Sequence, residues 1–350
     1  MSNVKVFNNF KVHTQYSICE GAIKIEDLAI YCKENKVQNI GICDSYNLCG
    51  VLEFAEKISK TGTHPIIGTQ INFFLDNSIG RLSLFATTSL GYKNLIKLSS
   101  KSYLESDVKS DPHCKINELK NINKDLILLS SNHHGLFGKL FKLNKLKQIE
   151  ESAKELKNIF KDRFYFEIQR HNEPGEENYE NFIIKLSEKH QIPLIATQEV
   201  FYLKKDMHEA HDALVCIGQK NFVDDANRVK FSNQHFLKKN EDLVTLFNDI
   251  PEALENNYNF PYRFNFKPKK SAPILPTIQT KENITIEDEL LFQVKQGLKN
   301  RLDNFILKKN KNVNIKEISK LYEDRLFHEL NIINSMHYPG YFLIVSDYIR

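Results

Sequence analysis

The sequence predicts an α/β fold, a closed β/α barrel followed by a mainly helical segment. Three observations carry that prediction. Short apolar strands alternate with amphipathic helices over roughly the first 200 residues, as crossover connections require. Polar and titratable residues stand where those strands end, at His13, Asp44, Gln70, His133, His171 and Glu199, and a closed barrel gathers its strand ends at one mouth. Neither G-x-G-x-x-G nor G-x-x-x-x-G-K occurs, so an open doubly wound sheet lacks its phosphate loop.

Residues 4–12 read as the first strand, ending at His13-Thr14. Ile25, Leu28, Ala29 and Cys32 recur at i, i+3, i+4 and i+7, one face of a helix. Residues 39–43 form an apolar strand running into Asp44, and 65–70 and 81–87 read as two more. A helix over 92–99, a strand over 125–130, a helix over 145–160 and a strand over 163–169 follow. A helix over about 177–190 and a strand over 192–197 complete the alternation. The strands are expected to lie parallel, joined by the helices.

Pro261, Pro268, Pro273 and Pro276 then fall within sixteen residues, mixed with lysine and asparagine. Proline breaks helices and cannot donate into a central strand, so 261–280 reads as a linker. Residues 284–305 and 315–336 read as helices, and the apolar pattern of 338–350 breaks off half-written. The expected boundaries are a barrel over 1–265 and a truncated second domain over 266–350.

With 350 residues, 41% hydrophobic and 26% charged, the chain suits two globular domains. Its longest apolar runs are about five residues, against roughly 20 for a membrane span. The first residues carry no apolar leader core, so a cytoplasmic location is expected. Six cysteines, none in a C-x-x-C pair, read as buried thiols rather than a zinc ribbon or a redox pair. The net charge is only +4, but residues 261–320 carry 13 basic and 6 acidic side chains. A basic C-terminal stretch suits a polyanion, or a solvated face.

Four segments carry a resemblance: Lys11-Val-His13 through Glu20-Gly21, Ile42-Cys-Asp44-Ser45, Pro65 through Gln70, and Ile195 through Glu199-Val-Phe201-Tyr202. Together they resemble the PHP domain, and in particular that domain at the front of bacterial replicative DNA polymerase III alpha subunits. Asn47-Leu-Cys-Gly50, residues 246–254 and residues 331–345 extend the likeness to nearly the whole chain. The last of these is similar to the opening of that family's polymerase palm.

The resemblance implies a seven-stranded PHP-type β/α barrel with a mouth that holds three metal ions in active members. It also implies where this sequence departs from that pattern. Lys11 stands in the first H-x-H slot, Ser45 replaces the histidine of T-D-H, Gln70 replaces a glutamate, and Phe201 replaces the histidine of D-x-H. His13, Glu20, Asp44 and Glu199 remain, and His133 or His134, beside the slot near Asn132, is a candidate to compensate. No metal or cofactor is expected in this chain. Lys11 is expected to replace the cation, paired with Asp44 or Glu199, and Phe201 to fill the space of a lost imidazole and metal.

The implied function is that of the N-terminal part of a DNA-directed DNA polymerase, a nucleotidyltransferase using magnesium when full-length. Here it would be a non-catalytic PHP scaffold and docking domain. The implied partners are DNA and other replicase subunits, with the proofreading exonuclease subunit at the PHP domain. The alternatives are a metal-dependent phosphoesterase or 3′-5′ exonuclease using the remaining mouth residues, and an independent binding module. Lys295, Lys299, Arg301, Lys308, Lys309 and Lys311 are candidate nucleic-acid contacts. His208 and His211 could hold a metal, but lacking the H-E-x-x-H spacing they read as a solvated or core-capping pair.

Overall fold

The computed structural model describes residues 5–107, 110–274, 276, 278, 280, 284–306 and 314–349. The chain divides into two units, Met1–Lys270 and Ser271–Arg350.

In the first unit, strand β1 (Lys11–Val12) pairs in parallel with β9 (Glu199–Val200), Lys11 opposite Glu199. Strand β2 (Asn39–Ser45) lies parallel to β3 (His64–Leu75), Ser45 opposite Gln70. Next come β4 (Ser78–Ala86), β6 (Leu126–Leu129), β7 (Phe164–Ile168) and β8 (Leu194–Ala196). Only Thr197 and Gln198 separate β8 from β9, so the two form one stave. The ring closes where the Gly41 N–H donates to the Asn9 carbonyl at 2.9 Å, tying β2 to the segment entering β1. A Cβ on Gly41 would lie 2.4 Å from the Phe10 backbone, so this close approach requires glycine. Seven staves result, a PHP-type barrel, with the short β5 (Cys114–Lys115) outside the ring against β3.

One stave departs from the all-parallel expectation. Strand β4 runs antiparallel to both β3 and β6. Asp76 and Asn77, at φ 47° and 57°, turn the chain in two residues, the positive-φ pair that a tight hairpin needs. The strand expected over 4–12 makes ladder bonds only at Lys11–Val12. A helix the sequence reading missed, Leu136–Lys142, precedes the expected one at Leu146–Phe160.

Side chains alternate along each stave. At the closed end Phe10, Ile66, Phe85, Ile127, Tyr165, Ile195, Phe260 and Phe264 form an apolar floor. Gly68 leaves room for it, since a Cβ there would meet the Phe85 ring at 2.4 Å. Outside the ring, helices Ile25–Glu34 and Val51–Lys60 pack on Val12, Ile42 and Ile67, which fixes Lys11 and His13 on the inner face. Four cysteines are buried, but Cys49 is exposed and Cys19 half-buried, which corrects the expectation of uniformly buried thiols.

The second unit comprises helices Ile286–Arg301 and Ile315–Ser335, a short π-helical turn at Leu302–Ile306, and helix Pro339–Ile349. Leu290, Leu330 and Leu343 form its small core. Helix Ile286–Arg301 starts with a Thr285 cap and three acids, as its N-terminal dipole favours. No helix among the described residues is long and apolar enough to cross a membrane.

Candidate functional site at the barrel mouth

Above the apolar floor the staves bring charged side chains inward. Lys11 is fully buried, its Nζ 2.9 Å from Glu167 Oε1 and 3.7 Å from Glu199 Oε1. Burial acts to lower its pKa, but Glu167 and then Glu199 outweigh this and hold it above its ordinary value. Lys11 therefore pairs with Glu199 as expected, but its nearer partner is Glu167, which the sequence reading passed over. Asp44 is not among its partners. That carboxylate instead accepts from the Thr14 N–H at 2.6 Å, the Thr14 hydroxyl at 2.7 Å and the Ser17 hydroxyl at 2.7 Å. Burial raises the Asp44 pKa despite these hydrogen bonds.

Glu199 is the hub. Its Oε1 accepts from His13 Nε2 at 3.0 Å and from the Gln70 amide, and its Oε2 accepts from Asn132 Nδ2 at 2.9 Å. Burial would raise its pKa, yet Lys11 and His13 hold it well below the usual carboxylate range. Glu167 Oε1 also accepts from Gln169 Nε2 at 2.7 Å and from the Thr197 hydroxyl.

Nearer the opening, Glu20 accepts from the Ser45 hydroxyl at 2.6 Å and forms a two-pronged ion pair with Arg81. Arg81 also donates from Nε to the Tyr46 hydroxyl at 2.8 Å. Burial opposes the charge on Glu20, but Arg81 lowers its pKa nonetheless. Ser45 Oγ lies 3.4 Å from His13 Nδ1, so His13, Glu20, Asp44 and Glu199 belong to one connected network. A cavity of about 440 Å³ opens over it, lined by Glu20, Gln70, Arg81, Asn132, Glu199 and Phe201 among others.

Phe201, 1% exposed, stacks on His211 with ring centroids 5.5 Å apart and packs at a tilt 4.5 Å from the His13 ring and 5.2 Å from His235. His208 and His211 prove to be capping groups: their Nε2–H atoms donate to the carbonyls of Phe231 at 3.1 Å and Glu20 at 2.7 Å. The imidazoles of His133 and His134 make no bond to Glu199 and contact Glu173 instead, though the His134 N–H donates at 3.0 Å to Asn132 Oδ1, the amide that donates to Glu199. His171 Nε2 accepts from the Glu199 N–H at 3.3 Å, and its ring stacks 3.9 Å from His235.

Three mouth residues were missed. Glu167 left a signal, a lone carboxylate in the apolar strand Phe164–Ile168. Arg81 left none that strand order could decode, and His235 lies in a segment without regular structure.

A PHP domain family model matches residues 9–171, and a model described as the bacterial DNA polymerase III alpha NTPase domain matches residues 288–350. A DNA polymerase III subunit alpha of Rickettsia bellii is 37% identical over 98% of this chain and 29% of its own length. Those of Caulobacter vibrioides and Buchnera aphidicola are each 35% identical, over 98% and 99% of this chain and 30% of their own lengths. The chain belongs to the bacterial DNA polymerase III alpha subunit family. It spans about three tenths of the length of the alpha subunits it matches.

In this alpha-subunit chain the expected basic stripe is only partly described. Lys295 and Lys299 are exposed one turn apart on helix Ile286–Arg301, with Lys295 Nζ 5.2 Å from the Phe327 ring. At 3.6 residues per turn, Arg301 falls roughly 200° around the helix from Lys299. Lys308, Lys309 and Lys311 lie outside the described residues.

Proposed function

We propose that this chain serves in bacterial chromosomal replication as the N-terminal part of a DNA polymerase III alpha subunit, its barrel a non-catalytic scaffold and docking domain. The observation that supports this is the pair of resident cations, Lys11 and Arg81, seated against the mouth carboxylates. The donor set does not fit a cluster of several metal ions. Glu199 and Glu20 are already neutralised by Lys11 and Arg81. Gln70 points an N–H donor at Glu199, and Phe201 offers no lone pair. A multi-metal site needs deprotonated, cation-free ligands, so no hydrolytic step is derived through such a group.

The family's partners follow under the same reading. The barrel would carry the proofreading exonuclease subunit, and residues 266–350 would lead into the palm. There Lys295 and Lys299, which share a helix face that Arg301 does not, would contact DNA phosphates, as would the undescribed Lys308, Lys309 and Lys311. Polymerisation itself would require magnesium held by palm carboxylates, and no residue here is assigned that task.

The reading is tested by assaying the purified chain for manganese-dependent 3′-5′ digestion and phosphomonoester hydrolysis, with Asp44→Ala as control. No activity above that variant is expected. Digestion by the wild type that Asp44→Ala abolishes would overturn it. Lys295→Ala/Lys299→Ala is expected to weaken DNA binding uniformly across sequences and to flatten its salt dependence by about two phosphate contacts.

A further inference from the structure

Outside the Lys11 and Arg81 networks, a second set of ligand-type groups stands at the rim. His133 and His134 sit on the loop after β6, and Glu173 on the loop after β7. One ligand atom from each can be chosen so that all lie within 4.8 Å of one another. Glu173 Oε2 is 2.6 Å from His134 Nε2 and 3.3 Å from His133 Nε2. We propose that His133, His134 and Glu173 form a single zinc-class metal site, separate from the mouth carboxylates.

The observation that points to a ligand is His133 itself. Its ring is 3% exposed, and neither ring nitrogen makes a hydrogen bond. A buried polar group left unsatisfied costs about 1–3 kcal/mol, and a cation on Nε2 would relieve it. Burial, with His134 beside it, pushes the His133 pKa down to about 4, so its lone pair is free at neutral pH. Glu173 stays a carboxylate because His134 and His235 outweigh its burial.

Two imidazoles and one carboxylate form a three-ligand zinc set that leaves a fourth position open. Such a nitrogen-rich set disfavours magnesium and calcium. His134 is half exposed, which gives the ion a route from solvent. The unused Glu173 oxygen accepts from His235 Nε2 at 3.0 Å and the Ser232 N–H at 3.3 Å, which fixes the carboxylate. The neighbouring cation, Lys142, approaches the far side of His134, 3.4 Å from Nδ1, and is exposed enough to swing away.

The test strips the chain with EDTA, adds Zn²⁺ alone, and reads metal content and calorimetric affinity, with Co²⁺ absorption as a spectroscopic check. One ion per chain is expected, with the visible bands of a low-coordinate site. His133→Ala and Glu173→Gln should each weaken binding by at least about tenfold, while Gln70→Ala leaves it unchanged. His134→Ala, a change at the exposed rim, should do the same with the circular dichroism of the wild type, which covers the case of a misfolded His133 variant. Failure of the wild type to bind zinc overturns the proposal. So does binding that survives both His133→Ala and His134→Ala, or binding lost in Gln70→Ala, which would place the ion in the mouth.

Discussion

Lys11 and Arg81 do the same electrostatic task in two different surroundings. The Lys11 ammonium and the Glu167 side chain are both fully buried, whereas Arg81 and Glu20 keep 24% and 21% of their side chains exposed. Taking two charges out of water is expensive, and an inner pair is held less by its own gain than by the larger cost of breaking it. Arg81 can exchange a lost carboxylate for water, and its planar fork already has a second acceptor in Tyr46. The chain therefore places its point charge where water is absent and its multidentate cation where water remains. The deeper position should dominate stability, and the shallower one should govern what enters the cavity.

The largest expected effect comes from Lys11→Met, which leaves Glu167 and Glu199 buried without their cation. Urea unfolding should show a loss of about 3–5 kcal/mol. Adding Glu167→Gln should recover part of that loss, and a neutral Lys11→Met would break the comparison. Phe201→Ala comes next, at about 3 kcal/mol, because it opens a cavity between three imidazoles and Phe231. Arg81→Met should cost less, about 1–2 kcal/mol, as expected for charged hydrogen bonds that water can partly replace. If it costs more than Lys11→Met, exposure is not the governing variable.

The contrast also marks how far the sequence could be read. That Lys11 points inward followed from its spacing to His13, since residues two apart share a strand face. Its main partner did not follow, because the depth of Glu167 depends on how far β7 is staggered in the ring, which one strand's pattern does not encode. A clue was present all the same: a lone glutamate in Phe164–Ile168 needs a buried cation. Arg81 was hidden by strand direction. In a parallel strand it would open the stave at the floor, and only the Asp76-Asn77 hairpin turns it to the mouth. His133 and His134 were placed at the right end of the barrel, beside the slot near Asn132, but their partner Glu173 did not follow, since a loop side chain has no strand to set its direction. The seven-stave ring itself was legible because alternating strands and helices leave few other closures.

The smallest expected effect concerns how the Lys11→Met deficit changes with acidity. In the wild type the folded Glu199 pKa is depressed: burial raises it, but Lys11 is the strongest lowering influence and prevails with His13. Its contribution is therefore complete above the unfolded value near pH 4.5 and is lost only as pH falls through the depressed folded value. Without Lys11, burial should prevail and lift the folded Glu199 pKa above the unfolded one. Protonation would then stabilise the folded variant as pH falls towards 5, while the wild type gains nothing there. The deficit measured at pH 7.5 should thus narrow by pH 5, by about 1.4 kcal/mol for each unit of pKa separation. Two of the buried histidines do not blur the comparison. His133 and His211, both depressed to about 4 by burial, lose stability between roughly pH 6.5 and 4 in wild type and variant alike. For Arg81→Met the narrowing should be smaller, since Glu20 keeps its Ser45 hydrogen bond and access to water. Urea titrations of the three proteins at pH 7.5, 6 and 5 read both gaps, and a Lys11→Met deficit that is constant or widens on acidification would show that Lys11 does not neutralise Glu199.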